Sequence, residues 1–469
     1  MNGNAKHEPM DDDGARWDVH VEVRVSHRSG VRHDVIRSAV EAFILKHHEF
    51  INIPNTFEDW GSDPVLGDDV ELIHITESAS PTSELPIGAA NLVIHVYQPT
   101  DTPIDEQFAS GGDDDEEAAV VATVCELPSR VWEGLWDTLI YDDDIKPRLL
   151  DYIYATLVFS DANVDSNIVS WNRVVLLHGP PGTGKTSLAR ALAQKLAIRL
   201  QHRYSAGARL LELNAHSLFS RWFSESGKLV QRAFSGVMEM ADDPDVFVVL
   251  LIDEVESLTA ARAGAMSGTE PSDALRVSFA PLLAYIRVPE CRIPQVVNAL
   301  LTQLDKLKLK RNVLIISTSN LPDAIDSAYV DRADIVQYIG PPSRNAIYYI
   351  LRSCVTELVR VGIIRPIETV PAKEASNNAH RREVLEPLRG SDAEELRVAK
   401  VSVRLLDLAS KCIGKSGRSL RRLPVLAFAR HMGGGVGRGP SDIGVWLGAM
   451  ERAIDEDSVG RQTVHVDRA

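Results

Sequence analysis

One octapeptide constrains this chain more than any other feature: Gly179-Pro180-Pro181-Gly182-Thr183-Gly184-Lys185-Thr186. It follows the apolar run Val174-Val175-Leu176-Leu177 and opens a helix-compatible stretch from Ser187 to Leu196. A strand, a glycine loop and a helix in that order make a phosphate cradle. Glycines let the backbone curl into a nest of N–H groups aimed at phosphate oxygens. Lys185 then reaches the β- and γ-phosphates, the Thr186 hydroxyl holds Mg2+, and Ser187 closes the loop. ATP with Mg2+ is the expected ligand.

A second box, Leu250-Leu251-Ile252-Asp253-Glu254, puts two acids just past an apolar strand. There Asp253 orients the Mg2+ shell and Glu254 polarises the attacking water, so hydrolysis is expected rather than binding alone. By themselves the two acids also suit a helix cap, and the preceding phosphate loop tips the reading. Ser317-Thr318-Ser319-Asn320 ends the next apolar strand. Asn320 either holds the same water or caps the turn before Leu321-Pro322.

The chain's 469 residues suggest two to three domains, and 44% hydrophobic content supports a sizeable core. A formal charge of -16 without a dense basic block argues against direct nucleic-acid binding, so proteins are the expected partners. Cys125, Cys291, Cys354 and Cys412 form no CxxC pair, which fits a reducing compartment. The acidic start carries no signal pattern, and no apolar run reaches the ~18 residues of a membrane span. A cytosolic or nuclear protein with no membrane partner is expected.

Residues 1–98 read as a small α+β domain, from His20-Val21-Glu22-Val23-Arg24-Val25, a helical stretch over 35–50, and Leu92-Val93-Ile94-His95-Val96-Tyr97. Residues 99–124, with Gly111-Gly112-Asp113-Asp114-Asp115-Glu116-Glu117, read as a solvated acidic linker. From 125 to 340, short apolar strands alternate with amphipathic segments, the pattern of a parallel sheet with helices on both faces. Strands are expected over 174–177, 210–213, 246–252, 313–317 and 335–339. Residues 341–469 read as a helical lid: a helix over 346–361, a polar stretch over 371–397, then two more helical segments.

The order phosphate loop, Asp-Glu box, strand ending in Asn, Asp331-Arg332-Ala333-Asp334 and Ser416-Gly417-Arg418 resembles an AAA+ ATPase. Longer strings resemble the pachytene checkpoint protein 2 (thyroid hormone receptor interactor 13) family. They are Gly134-Leu135-Trp136-Asp137, 171–186, 220–228, 253–261, Gly268-Thr269-Glu270-Pro271-Ser272-Asp273-Ala274 and 330–342. The likeness is strong from about 125 to 424 and only suggestive over 17–100.

The resemblance implies a P-loop fold with a helical lid, working as a homohexameric ring. Arg332 corresponds to the arginine finger completing a neighbour's site, a group contributing about 10³ to 10⁵ in rate. Arg418 corresponds to the lid arginine that senses nucleotide in cis. Trp222-Phe223 corresponds to the pore loop that grips a polypeptide, and 262–271 to a second one; core packing is the alternative for the two aromatics. Trp136, Ile140 and Tyr141 either line the adenine pocket or are core residues. The implied substrates are HORMA-domain proteins, with or without a HORMA adaptor, in meiotic and spindle-checkpoint control. The implied location is the nucleus, on chromosomes, and also the cytoplasm. A general unfoldase, a microtubule-severing motor or an ATP-binding scaffold ring would share the ATP residues. The chain departs from the family pattern at 277–295, where Pro281, Pro289 and Pro294 fall in an expected continuous helix. The ends of that segment suit splice-site codons, so a retained intron or an inserted loop is expected there.

Overall fold

The computed structural model describes residues 16–102, 122–141, 144–165, 168–214, 226–257, 293–321, 325–380, 393–433 and 440–466. In the N-terminal domain, β1 (Trp17–Val25) lies between β4 (Val70–Ser78), antiparallel, and β6 (Ala90–Tyr97), parallel, with β3 (Asn55–Phe57) at the far edge. Alternation along β1 turns Val19, Val21, Val23 and Val25 inward. Against them the His33–His47 helix buries Ile36, Val40, Phe43 and Ile44, a stripe at helical spacing. A small ribbon of β2 (Phe50–Asn52) and β5 (Glu84–Pro86) completes the domain.

The ATPase domain is a six-stranded sheet ordered β12 (Ile335–Tyr338), β8 (Val174–His178), β11 (Val313–Ser319), β10 (Phe247–Asp253), β9 (Ala208–Asn214) and β7 (Ala122–Leu127). The five expected strands are the parallel ones, and the runs Val174–Leu177, Phe247–Ile252 and Val313–Ile316 are apolar without alternation because helices cover both faces. β7 corrects the all-parallel expectation: it pairs antiparallel with β9, Cys125 opposite Leu210. It also begins at Ala122, inside the stretch read as linker. Its alternating residues follow directly on an acidic run, so composition concealed the period. Thr100 bridges Ser129, which brings the two ends of the acidic segment together.

The lid holds more helix than expected. After Arg344–Arg360, the Ala372–His380 helix lies within the polar stretch, and three helices follow it: Ala393–Lys411, Gly417–His431 and Ile443–Val466. Leu351, Leu405, Leu420, Leu447 and Met450 are fully buried among them. Among the described residues no helix is long and apolar enough to cross a membrane.

The N-terminal domain docks on the Lys185–Arg199 helix through buried charge. Lys195 Nζ stands 2.5 Å from Glu22 Oε1, and Arg199 donates to Glu77. Beside them His20 and His95 stack, their ring centroids 5.4 Å apart. Burial first, then the Arg199 charge, holds His20 at about 4 and His95 at about 2. Breaking a buried pair costs roughly 3–5 kcal/mol. Arg199 Nε remains 3.9 Å from Glu22, so Lys195→Met is expected near the lower end of that range. Chemical denaturation checks this, and a Glu22→Leu/Lys195→Met double variant should recover part of the loss.

The histidines set a pH window. Their depressed values mean that the fold gains fully from the neutral rings above the ordinary histidine pKa of about 6.5, and loses that gain as pH falls toward about 4. Lys195 adds to the depression, while Glu77 and Asp18 oppose it at His20. The fall in melting temperature between pH 7 and pH 5 should therefore be smaller in His20→Phe than in the parent chain. Scanning calorimetry at the two pH values reads the difference.

Candidate nucleotide site

β11 lies between β8 and β10, so the phosphate loop, the Asp-Glu box and Asn320 all emerge at one carboxyl edge of the sheet. Gly179, Gly182 and Gly184 all have positive φ, at 145°, 78° and 99°. A Cβ on Gly179 would stand 2.2 Å from the Ile339 carbonyl oxygen, so that position admits glycine alone. The helix that begins at Lys185 directs its N-terminal N–H groups and the positive end of its dipole at the loop.

Lys185 is buried and donates to the Gly179 and Pro180 carbonyls at 2.7 and 2.8 Å. Burial pushes its pKa below the usual lysine range, opposed by the charges of Glu256 and Asp253. Thr186 Oγ1 donates to Asp253 Oδ1 at 2.9 Å, and Thr318 donates to the same oxygen. Glu254 follows with φ at 58°, a left-handed conformation that turns the chain back over the end of β11. Its N–H donates to Thr318 Oγ1 at 3.3 Å.

The lid touches the loop directly. Ser416 caps the Gly417–His431 helix, and the Arg418 N–H donates to the Gly182 carbonyl at 3.2 Å. Arg418 itself is exposed at this junction. Arg332 is turned elsewhere: its guanidinium pairs with Asp305 through two bonds of 2.9 Å and donates to the Ala328 carbonyl at 2.8 Å. Trp136 packs as a core aromatic, with Lys146 5.0 Å and Lys195 5.7 Å from its ring centre. Tyr141 instead borders the loop, its hydroxyl 3.3 Å from where a Gly184 Cβ would sit. Ile140 packs against the lid core.

Pachytene checkpoint protein 2 homologs are similar over most of the chain. The Homo sapiens protein is 43% identical over 418 residues, 88% of each chain, and the Mus musculus protein 42% over 447 residues, 93% of each. The chain belongs to the pachytene checkpoint protein 2 family. Models of the TRIP13 N-terminal domain and of the TRIP13-like AAA+ ATPase lid C-terminal domain match residues 14–102 and 343–458. The model of the ATPase family associated with various cellular activities (AAA) matches 175–285 and 292–341. The solved structure of C. elegans PCH-2 is 30% identical with a TM-score of 0.67, covering 94% of this chain and 99% of that one. Like its family, the chain is an AAA+ ATP hydrolase.

The residues present fit a Mg2+-nucleotide. A glycine cradle that a Cβ would fill, a buried lysine beside it, and a hydroxyl paired with an aspartate are the donor set such a ligand requires. Trp222, Phe223 and 262–271 lie outside the described residues. So does most of 277–295, but not Pro294, which falls in the first turn of the Ile293–Leu307 helix. A first-turn proline is tolerated, so this one interrupts nothing. The unmatched gap in the AAA model is likewise narrower than the expected insert, 286–291. Two further residues of the site, Thr318 and Glu256, carry no motif signal of their own: Thr318 is one hydroxyl of the Ser-Thr-Ser-Asn strand end, and Glu256 is the third acid of an Asp-Glu-Val-Glu string.

If Glu254 polarises the attacking water as the sequence leads one to expect, Glu254→Gln should keep ATP binding and lower turnover by about 10² or more, because the Thr186–Asp253 pair survives the change. Lys185→Ala should instead lose measurable nucleotide affinity. Fluorescent-nucleotide titration beside a phosphate-release assay separates the two outcomes.

Proposed function

We propose that this chain assembles as a homohexameric ring that uses ATP hydrolysis to unfold part of a HORMA-domain protein. Its setting would be meiotic chromosomes and spindle-checkpoint control, in the nucleus and also the cytoplasm. The observation that carries the reading is the contact of the lid with the phosphate loop, Arg418 N–H to Gly182 carbonyl, on the same edge as Glu254 and Asn320. A change at the phosphates is thereby passed to the lid. Family membership, extending through the N-terminal domain, supports a substrate class particular to this family over a general unfoldase or a severing motor.

Thr186 and Asp253 would hold Mg2+, which supplies charge neutralisation at the β- and γ-phosphate oxygens. Lys185 exchanges its two loop carbonyls for phosphate oxygens. Glu254 takes a proton from the attacking water, and Asn320 orients that water. Arg332 finds no partner in the loop of its own subunit among the described residues, which fits a role in the neighbouring subunit's site. Trp222 and Phe223 grip the substrate by apolar contact.

Capture on an ATP-loaded Glu254→Gln ring, with bound proteins identified by mass spectrometry, tests the substrate class. Recovery of no HORMA-domain protein would reject it. Arg332→Ala and Lys185→Ala are each expected to be inactive alone. Mixed rings should regain part of the ATPase activity, since an intact Arg332 can face an intact Lys185 across an interface. An inactive mixture at every ratio would remove Arg332 from the neighbour's site.

A further inference from the structure

We propose that Glu256 is a positioning residue for hydrolysis, holding the end of β11 so that Asn320 is presented to the reacting water. The proposal rests on the reading of Asn320 given above. Glu256 is only 8% exposed, and its Oε1 accepts the Asn320 backbone N–H at 3.0 Å. It completes a series of contacts from one segment onto one strand end. Glu254 N–H reaches Thr318 Oγ1, Val255 N–H reaches the Thr318 carbonyl at 2.9 Å, and Glu256 takes the Asn320 N–H. On the opposite side Gly179 N–H donates to the Ser319 carbonyl at 3.2 Å, so the same strand end is tied to the phosphate loop.

The side-chain contact is the one that fixes Asn320 itself. A backbone N–H at the end of a strand has no further ladder partner on that side, and a charged acceptor holds it about twice as firmly as a neutral one. The second carboxylate oxygen of Glu256 is buried without a hydrogen-bond partner among the described residues. A buried, half-satisfied carboxylate is costly unless a positive charge attracts it, and the Lys185 ammonium at the start of the phosphate-loop helix does attract it. Glu256 thus acts on Lys185 through charge alone, while its direct bond among the described residues goes to the strand end. Removing it should loosen Asn320 without dismantling the cradle.

The test compares Glu256→Met, which keeps the volume and removes the acceptor, with Glu256→Gln, whose amide oxygen can accept the same N–H. Steady-state ATPase kinetics and nucleotide titration are run on the assembled full-length chain. Expected is a fall in kcat of about 10- to 100-fold in Glu256→Met, the scale of a small misplacement of a reacting group, with ATP affinity within about threefold of the parent. Glu256→Gln should recover most of the lost turnover. Adding Glu256→Met to Asn320→Ala should lower kcat no further, because both act through one side chain. An unchanged kcat in Glu256→Met overturns the proposal, as does a Gln variant no better than Met, or an affinity that falls as far as kcat. If Asn320→Ala alone turns over normally, the reading of Asn320 fails; if Asn320→Ala is slow but Glu256→Met is not, only the present proposal fails. Should Glu256→Met not fold, Glu256→Asp, which keeps the charge and shortens the reach, is expected to show the same loss confined to kcat, and normal turnover in it overturns the proposal.

Discussion

Two hydroxyls converge on one carboxylate oxygen at the centre of the site. Thr186, in the first turn of the phosphate-loop helix, and Thr318, near the end of β11, both donate to Asp253 Oδ1. Asp253 ends β10, so three segments remote in sequence are fastened at one point. Each hydrogen bond to a charged acceptor contributes about 1.5–3 kcal/mol. With that point fixed, Glu254 must turn back through a left-handed conformation, and the turn brings residues 254–256 over the end of β11. The spacing between phosphate loop, acid pair and Asn320 is therefore set by backbone and hydroxyl contacts.

Most of the fold was legible because a strand covered on both faces announces itself. Residues 174–177, 246–252 and 313–316 are uninterrupted apolar runs, and the structure moves the limits of the strands expected over 174–177, 246–252 and 313–317 by only one or two residues. β7 was not legible, since an edge strand paired on one side needs only alternation, and Ala122–Leu127 alternates over a single short span beside an acidic run. The Ala372–His380 helix was missed for a similar reason, because over its described side chains, residues 372–377, it buries only the small residues Ala372 and Ala375. The phosphate loop and the acid pair were readable as motifs. The acceptor for Asn320 was not, because one glutamate among neighbouring acids carries no mark of which backbone group it will meet. The Arg332–Asp305 pair also spans elements, and no local pattern connects them.

The helix that starts at Lys185 ties the glycine cradle and the N-terminal domain to one rod. Its first residue lies in the cradle, and Lys195 and Arg199 at its other end are buried against Glu22 and Glu77. Parting that joint would expose or strand several charges at once, at several kcal/mol per broken buried pair. The joint with the lid is of another kind. Its contacts among the described residues include the Arg418 N–H to Gly182 carbonyl bond, an exposed Arg421 bonded to the Thr138 carbonyl at 2.6 Å, and the packing of Ile140. Neutral or solvent-exposed bonds of this sort each contribute only about 0.5–1.5 kcal/mol. The Gly182 loop, at the heart of the cradle, is bonded to this weaker joint and not to the N-terminal one. The buried charge pairs thus fasten the N-terminal domain to the ATPase sheet more firmly than these exposed and backbone contacts fasten the lid, which makes the lid joint the easier of the two to open.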